Sequence, residues 1–183
     1  RSRGLGDVYK RQGFKVDVAS ARLEFYLRPG ALPSVEHASI KLDLYRRDFT
    51  INTLALALNP GEFGELLDFF GAQRDLQEGT LRVLHNLSFV EDPTRVFRAI
   101  RFETRLGLHL GQQTEHLLKS AVRMGFVEKV GGPRVFNEIV IILREDGFPA
   151  RFNTWAIIAL QWLTVLILAP LGSISPALAL ISV

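Results

Sequence analysis

EDPTRVFRAIRFETRLG, residues 91–107, is where the chain changes character. Asp92 supplies a side-chain acceptor for the free amides of a helix start, and Pro93 takes the first helical position, where a missing N–H is harmless. Val96, Phe97 and Ile100 recur at helical spacing, and Gly107 offers a stop after Leu106. The stretch reads as an amphipathic helix. Asp92, Arg95, Arg98 and Arg101 recur in steps of three and share one side of it, away from the apolar stripe. Arginines in a row without interleaved glutamates differ from the alternating charges of an ordinary solvated helix. Two readings stand: a solvated surface, or a polar face addressed to a polyanion or a base edge.

Downstream, residues 112–124 and 133–146 read as two further helices, the last opening at Pro133 and closing at Gly147. Upstream the pattern is mixed. Residues 14–27 alternate loosely and are rich in Val, Phe and Tyr, which predicts a strand ended by Pro29, Gly30 and Pro33. Residues 48–58 carry helical spacing at Ile51, Leu54, Ala55 and Leu58, with Asp48 or Thr50 as cap and Asn59-Pro60-Gly61 as stop. Residues 65–70 and 81–84 read as short extended pieces. This order, without internal repeat, predicts an α+β fold: a head with a mixed or antiparallel sheet over residues 13–84, then an all-helical neck over 85–150.

The ends differ from the middle. All 22 basic and 19 acidic residues of the 183 lie at or before Arg151, so residues 152–183 carry no charge. Residues 155–171 approach a bilayer crossing in length, but Pro170 interrupts them and Pro176 follows. The tail, 151–183, reads as either a membrane segment or an out-of-frame or truncated core stretch. Residues 1–12 show neither period and are set outside the fold as a non-native leader. A hydrophobic content of 48% excludes disorder for most of the chain, and a net charge of +3 is too small to argue for a nucleic-acid partner by itself. The absence of cysteine excludes a disulfide scaffold, thiolate zinc sites and a cysteine nucleophile.

Arg46-Arg47-Asp48 falls at the start of the helix expected over 48–58, where free N–H groups and the dipole favour anions. Two guanidiniums there would bind phosphate bidentately; the bland alternative is a solvated basic turn. Asp17, on a strand, is either an exposed polar position or one member of a metal site, which needs several converging carboxylates. His37, His85, His109 and His116 have no ligand-like spacing, and no P-loop or Gly-x-Gly-x-x-Gly is present.

Four motifs in order give these pieces a family. Arg46-Arg47-Asp48-Phe49-Thr50-Ile51-Asn52 resembles the RRDFTIN signature of class II tRNA nucleotidyltransferases (CCA-adding enzymes) and bacterial poly(A) polymerases. Asp68-Phe69-Phe70-Gly71-Ala72-Gln73-Arg74-Asp75-Leu76 resembles their D-x-x-G-G-x-x-D-L hinge, with Ala72 in place of the second glycine, a change expected to stiffen it. Glu91-Asp92-Pro93-Thr94-Arg95 with Arg98 resembles E-D-x-x-R-x-x-R, and Arg134 to Glu138 the weaker R-x-x-x-E neck motif. The likeness covers roughly residues 14–148.

The resemblance implies a nucleotidyltransferase head and a nucleotide-selecting neck. The implied reaction is attack of an RNA 3′-hydroxyl, of tRNA or another RNA, on the α-phosphate of ATP or CTP, with release of pyrophosphate. It implies Mg²⁺, with Asp17 as catalytic metal ligand; Arg46, Arg47, Asp48 and Asn52 holding triphosphate and ribose; Arg98 in the same nucleotide site; Arg101 on RNA or phosphate; and Asp68, Gly71 and Asp75 as hinge. Asp92 and Arg95 match the pair that reads the base: carboxylate accepts from an exocyclic amine, guanidinium donates to the neighbouring ring nitrogen. Cytosine and adenine present that edge; uracil and guanine present its reverse. The family's G-G-x-x-R-D loop and D-x-D pair are not in the chain, so with one carboxylate of three the chain alone is expected to be inactive. The family implies a cytoplasmic protein with no membrane among its partners, and leaves oligomeric state open, as it does CCA addition, A addition and poly(A) synthesis. Against this enzyme fragment stand two other classes: a non-catalytic RNA- or nucleotide-binding module, and a membrane-anchored partner-binding protein.

Overall fold

The computed structural model describes residues 6–11 and 14–144. The tail expected to be foreign or membrane-like, and the predicted close of the last helix at Gly147, lie outside the described residues. Among the described residues no helix is long and apolar enough to cross a membrane.

Two hairpins open the chain. β1 (Gly6–Arg11) pairs antiparallel with β2 (Phe14–Ala19) over six residue pairs. Residues 6–11, expected to lie outside the fold, are thus a strand: six backbone positions find partners although the side-chain pattern carries no clear period. β3 (Arg22–Phe25) pairs antiparallel with β4 (Ser34–His37). The single strand expected over 14–27 is therefore two, divided at Ser20 and Ala21.

α1 (Ile40–Tyr45) follows, and its N-cap Ser39 accepts from the Leu42 amide through Oγ at 3.4 Å. It corrects the reading of the basic motif, because Arg46 is the C-cap of α1 and Arg47 follows it. Cations at that end complement the helix's free carbonyls instead of extending an anion-binding N-terminus. The helix predicted over 48–58 is absent too. Thr50–Asn52 is one 3₁₀ turn, and β5 (Ala55–Leu56) pairs with β6 (Leu66–Leu67). Leu58, which the helical reading would bury, is 73% exposed. The cause lies in distant partners for the polar side chains. Thr50 Oγ1 donates to Asp75 Oδ2 at 2.6 Å, the Thr50 amide to Arg82 O at 2.9 Å, and Asp48 Oδ1 accepts from the Phe49 amide at 2.9 Å. Such bonds compete with helix formation.

α2 (Ala72–Gln77) is built by the motif read as a hinge. Asp68 Oδ1 and Oδ2 accept from the Ala72 and Gln73 amides at 2.8 and 3.0 Å, and Gly71 takes φ +76°, which favours glycine. Ala72 opens the helix with its side chain fully buried, so the methyl group packs in place of the second glycine.

α3 (Ser88–Glu91) is a short turn before α4 (Arg95–Leu106), which ends at Gly107 with φ +67°. α4 begins at Arg95, three residues after Asp92, although Asp92 Oδ1 still accepts from the Thr94 amide at 3.1 Å. α5 (Gln112–Arg123) and α6 (Gly132–Leu143) complete the helices. β7 (Thr80–Leu81) pairs in parallel with β8 (His109–Leu110) across them.

One apolar cluster joins the two parts: Phe49, Leu81 and Val83 from the first, Phe89, Val96, Ala99, Leu110, Leu118 and Ala121 from the second. Phe49 is fully buried and meets Phe102 edge-on at 5.8 Å. The RRDFTIN turn and α4 thus share a core. That core sets the walls of the site.

Candidate functional site

A cavity of about 470 Å³ opens where the 46–52 turn faces the start of α4. Seven residues read from the sequence line it: Arg46, Arg47, Asp48, Asn52, Asp92, Arg95 and Arg98. Glu24, Tyr26 and Phe102 complete the lining.

Asp48 joins the two walls. It accepts from Asn52 Nδ2 at 2.8 Å and Arg98 Nε at 2.7 Å, and Arg98 Nη2 also bonds its Oδ2. Asp48 and Arg98 lie 50 residues apart in sequence. Just before α4, Asp92 Oδ1 accepts from Thr94 Oγ1 at 2.7 Å and from Arg134 Nη2 at 2.8 Å, besides the Thr94 amide. All of these fall on one oxygen, and among the described residues Asp92 Oδ2 takes no hydrogen bond. A carboxylate acceptor therefore remains in the cavity.

Arg95 differs from expectation. The sequence reading set it open beside Asp92, but it is only 5% exposed. Its Nη1 donates to Ser88 Oγ at 2.7 Å and its Nη2 to Arg46 O at 2.7 Å. As the first residue of α4 it is enclosed between α3 and the end of α1, whose polar atoms satisfy it.

Arg46 and Arg47 also differ from one another. Arg46 donates through Nη1 to Glu24 Oε1 at 2.9 Å and through Nη2 to Asp43 Oδ1 at 2.8 Å, with Nε on Asp43 Oδ1 and Arg22 O. Among the described residues the Arg47 guanidinium gives one hydrogen bond, to Asn52 O at 3.0 Å, and stands 3.6 Å from Asp43. The Arg47 side chain is 42% exposed against 21% for Arg46. Burial alone would raise the Asp43 carboxyl, but bonds from Arg46 and the Arg22 amide outweigh it and hold the group below its usual range. Burial, aided by Glu24, pushes the Tyr26 phenol well above its ordinary value, so it stays neutral and donates to Glu24 Oε2 at 3.0 Å. His85 is shifted down, first by burial and then by Arg95, against the upward pull of Glu91 at 3.5 Å.

The remaining candidates lie elsewhere. Asp17 is exposed on β2, opposite Val8, and does not line the cavity. Among the described residues no three His, Cys, Asp or Glu side chains come together as a metal site, so they do not fit the Mg²⁺ the resemblance implied. Arg101, farther along α4, is outside the lining and stacks 5.3 Å from the Phe102 ring. Asp68, Gly71 and Asp75 are also outside it. Asp75 is fully buried, bonded to Thr50 and 3.1 Å from Arg82 Nη2.

Sequence reasoning missed Glu24 and Tyr26 in this setting, and quoted Arg134 only as part of the neck motif, without its bond to Asp92. Arg22, Glu24 and Tyr26 alternate at i, i+2 and i+4, the spacing that puts side chains on one strand face. That pattern was the available signal.

Residues 4–82 match the family model described as the poly A polymerase head domain, a match that begins inside the stretch expected to be foreign. The chain is 70% identical over 142 residues to the A-adding tRNA nucleotidyltransferase of Geobacter sulfurreducens, covering 78% of this chain and 16% of that protein. Both likenesses make the chain similar to members of the poly(A) polymerase and tRNA nucleotidyltransferase family. A second nucleotidyltransferase, the A-adding enzyme of Aquifex aeolicus, is 52% identical over 134 residues, 73% of this chain and 16% of that protein. Among solved nucleotidyltransferases, a CCA-adding enzyme in complex with ATP superposes with a TM-score of 0.71 at 37% identity, over 98% of this chain and 40% of that one. The chain thus spans about one sixth of the length of those two relatives.

Proposed function

We propose that this chain is the nucleotide-holding part of an A-adding tRNA nucleotidyltransferase, which joins the α-phosphate of ATP to the 3′-hydroxyl oxygen of tRNA and releases pyrophosphate. The observation that carries the reading is the meeting of the 46–52 turn and the start of α4 on one cavity, tied by Asp48 and Arg98. The A-adding character rests on the two relatives above.

The residues divide by chemistry. Arg47, the more exposed guanidinium of the basic motif, faces triphosphate; Asn52 and Asp48 hold the ribose; Asp92 Oδ2 accepts from the adenine amine. Arg95 reaches the adjacent ring nitrogen by exchanging its bond to Ser88, so base binding and local rearrangement are coupled. Guanine, with a carbonyl where adenine has an amine, would set an oxygen against Asp92. Mg²⁺ supplies charge neutralisation for the leaving pyrophosphate in chemistry of this kind. The described residues do not make its site, and the 183-residue chain by itself does not transfer nucleotide.

Calorimetric titration tests this. ATP is expected to bind at least about tenfold more tightly than GTP, the worth of one good hydrogen bond to a charged group. Equal affinity for the two would sink base reading at Asp92, and incorporation of labelled ATP into tRNA by the chain would sink its inactivity.

A further inference from the structure

Glu24 belongs to none of the motifs above, yet it lines the same cavity. Its side chain is 9% exposed and fully engaged: Oε1 accepts from Arg22 Nε and Nη2 at 3.2 and 3.1 Å and from Arg46 Nη1, while Oε2 accepts from the Tyr26 phenol. Together with Asp43, Glu24 occupies all three nitrogens of the Arg46 guanidinium. The other face of Arg46 is its carbonyl, which accepts from Arg95. A bonded path therefore runs from Tyr26 through Glu24 and Arg46 to Arg95.

We infer that Glu24, supported by Tyr26, is a positioning residue for base selection: it holds Arg46 away from phosphate so that the Arg46 carbonyl can fix Arg95 beside Asp92. Drawing Arg46 onto a phosphate would leave two carboxylates, each 9% exposed, without a principal partner, a cost greater than one surface ion pair returns. Arg47 has no such commitment and serves the phosphate instead. The inference rests on the nucleotide-site reading and adds that its selectivity is set from β3, by a residue outside the family motifs.

The test uses the 183-residue chain with three probes: ATP, GTP and inorganic tripolyphosphate. Glu24→Gln keeps the shape and removes the charge that holds Arg46. The ATP-over-GTP preference is expected to fall roughly tenfold, as one charge-assisted bond is lost, while tripolyphosphate binding strengthens about threefold because Arg46 is released. A merely structural role would weaken all three probes by one common factor. That result, or an unchanged preference, overturns the inference. Should Glu24→Gln fail to fold, Tyr26→Phe removes only the phenol hydrogen bond and is expected to move both readouts the same way by about threefold; no movement overturns the inference equally. Wild-type chain that binds tripolyphosphate but does not prefer ATP refutes the base-reading proposal itself, and this inference with it.

Discussion

The two walls of the cavity are built on different principles. On the strand wall, the side-chain bonds around Arg46 span at most twenty-four positions: Arg22 to Glu24 two apart, Arg46 to Asp43 three apart, Arg46 to Glu24 twenty-two apart and Arg46 to the Arg22 carbonyl twenty-four apart. On the helix wall the bonds are distant: Arg134 to Asp92 spans 42 positions, Arg95 to Arg46 spans 49, and Arg98 to Asp48 spans 50. The strand wall is a nearly self-contained ion cluster. The helix wall is correct only when α4 is docked on the shared core and α6 on α4, through Phe97 and Val135. Phosphate binding should therefore tolerate damage to that core better than base selection does.

The largest test of this contrast is Phe49→Ala. It empties a fully buried ring site in the cluster that joins the walls, and is expected to cost about 3–5 kcal/mol in denaturant melts. Loss should come in one transition; two separate transitions would mean that the walls fold independently. Asp75→Asn comes next. It leaves Arg82 and Thr50 with a neutral partner in a fully buried position, for an expected loss of about 2–3 kcal/mol. A loss under about 0.5 kcal/mol would return Asp75 to the role of a flexible hinge residue. Asp92→Asn changes selection more than stability, because its Oδ1 contacts can largely persist while the Nδ2 amide that replaces Oδ2 offers donors. The ATP-over-GTP preference should fall about tenfold in the same titration.

The smallest effect is a pH dependence. His85 is held below its ordinary 6.5 in the folded state. As pH falls through about 6.5 the unfolded chain takes up the proton first, so this stability is present above the unfolded value and is lost below it. Between about pH 7.5 and 5.5 the chain should lose no more than about 1 kcal/mol, and His85→Gln should flatten that slope. A wild-type slope of opposite sign would contradict the burial of His85 against Tyr45 and Arg95.

Legibility divides along the same line. α4 and α5 could be read from the sequence because their signals are local: an Asp-Pro start, apolar residues at helical spacing, and Gly107 ending α4 with positive φ. Residues 48–58 could not, since the same helical spacing is overridden when Thr50 bonds Asp75 and Arg82, and Asp48 bonds Arg98. α1 escaped notice because six residues with a serine cap make a weak pattern. The motif residues of the cavity were visible as a set, but their internal division was not. Whether Arg46 or Arg47 carries the spare guanidinium depends on Glu24 and Asp43, and whether Arg95 is open depends on Ser88 and the Arg46 carbonyl. Asp17 carried its meaning only through the family pattern, and its place on the first hairpin puts it outside the cavity lining.

The central claim, that the start of α4 and the 46–52 turn hold one nucleotide with its base at Asp92, is tested most directly by photolabelling the 183-residue chain with 8-azido-ATP and mapping the modified peptides. Label is predicted on peptides carrying Tyr26 or residues 88–102, protected by excess ATP and not by equal GTP. Label concentrated on the β1–β2 hairpin or on α5, or label that GTP removes as well as ATP does, would contradict it.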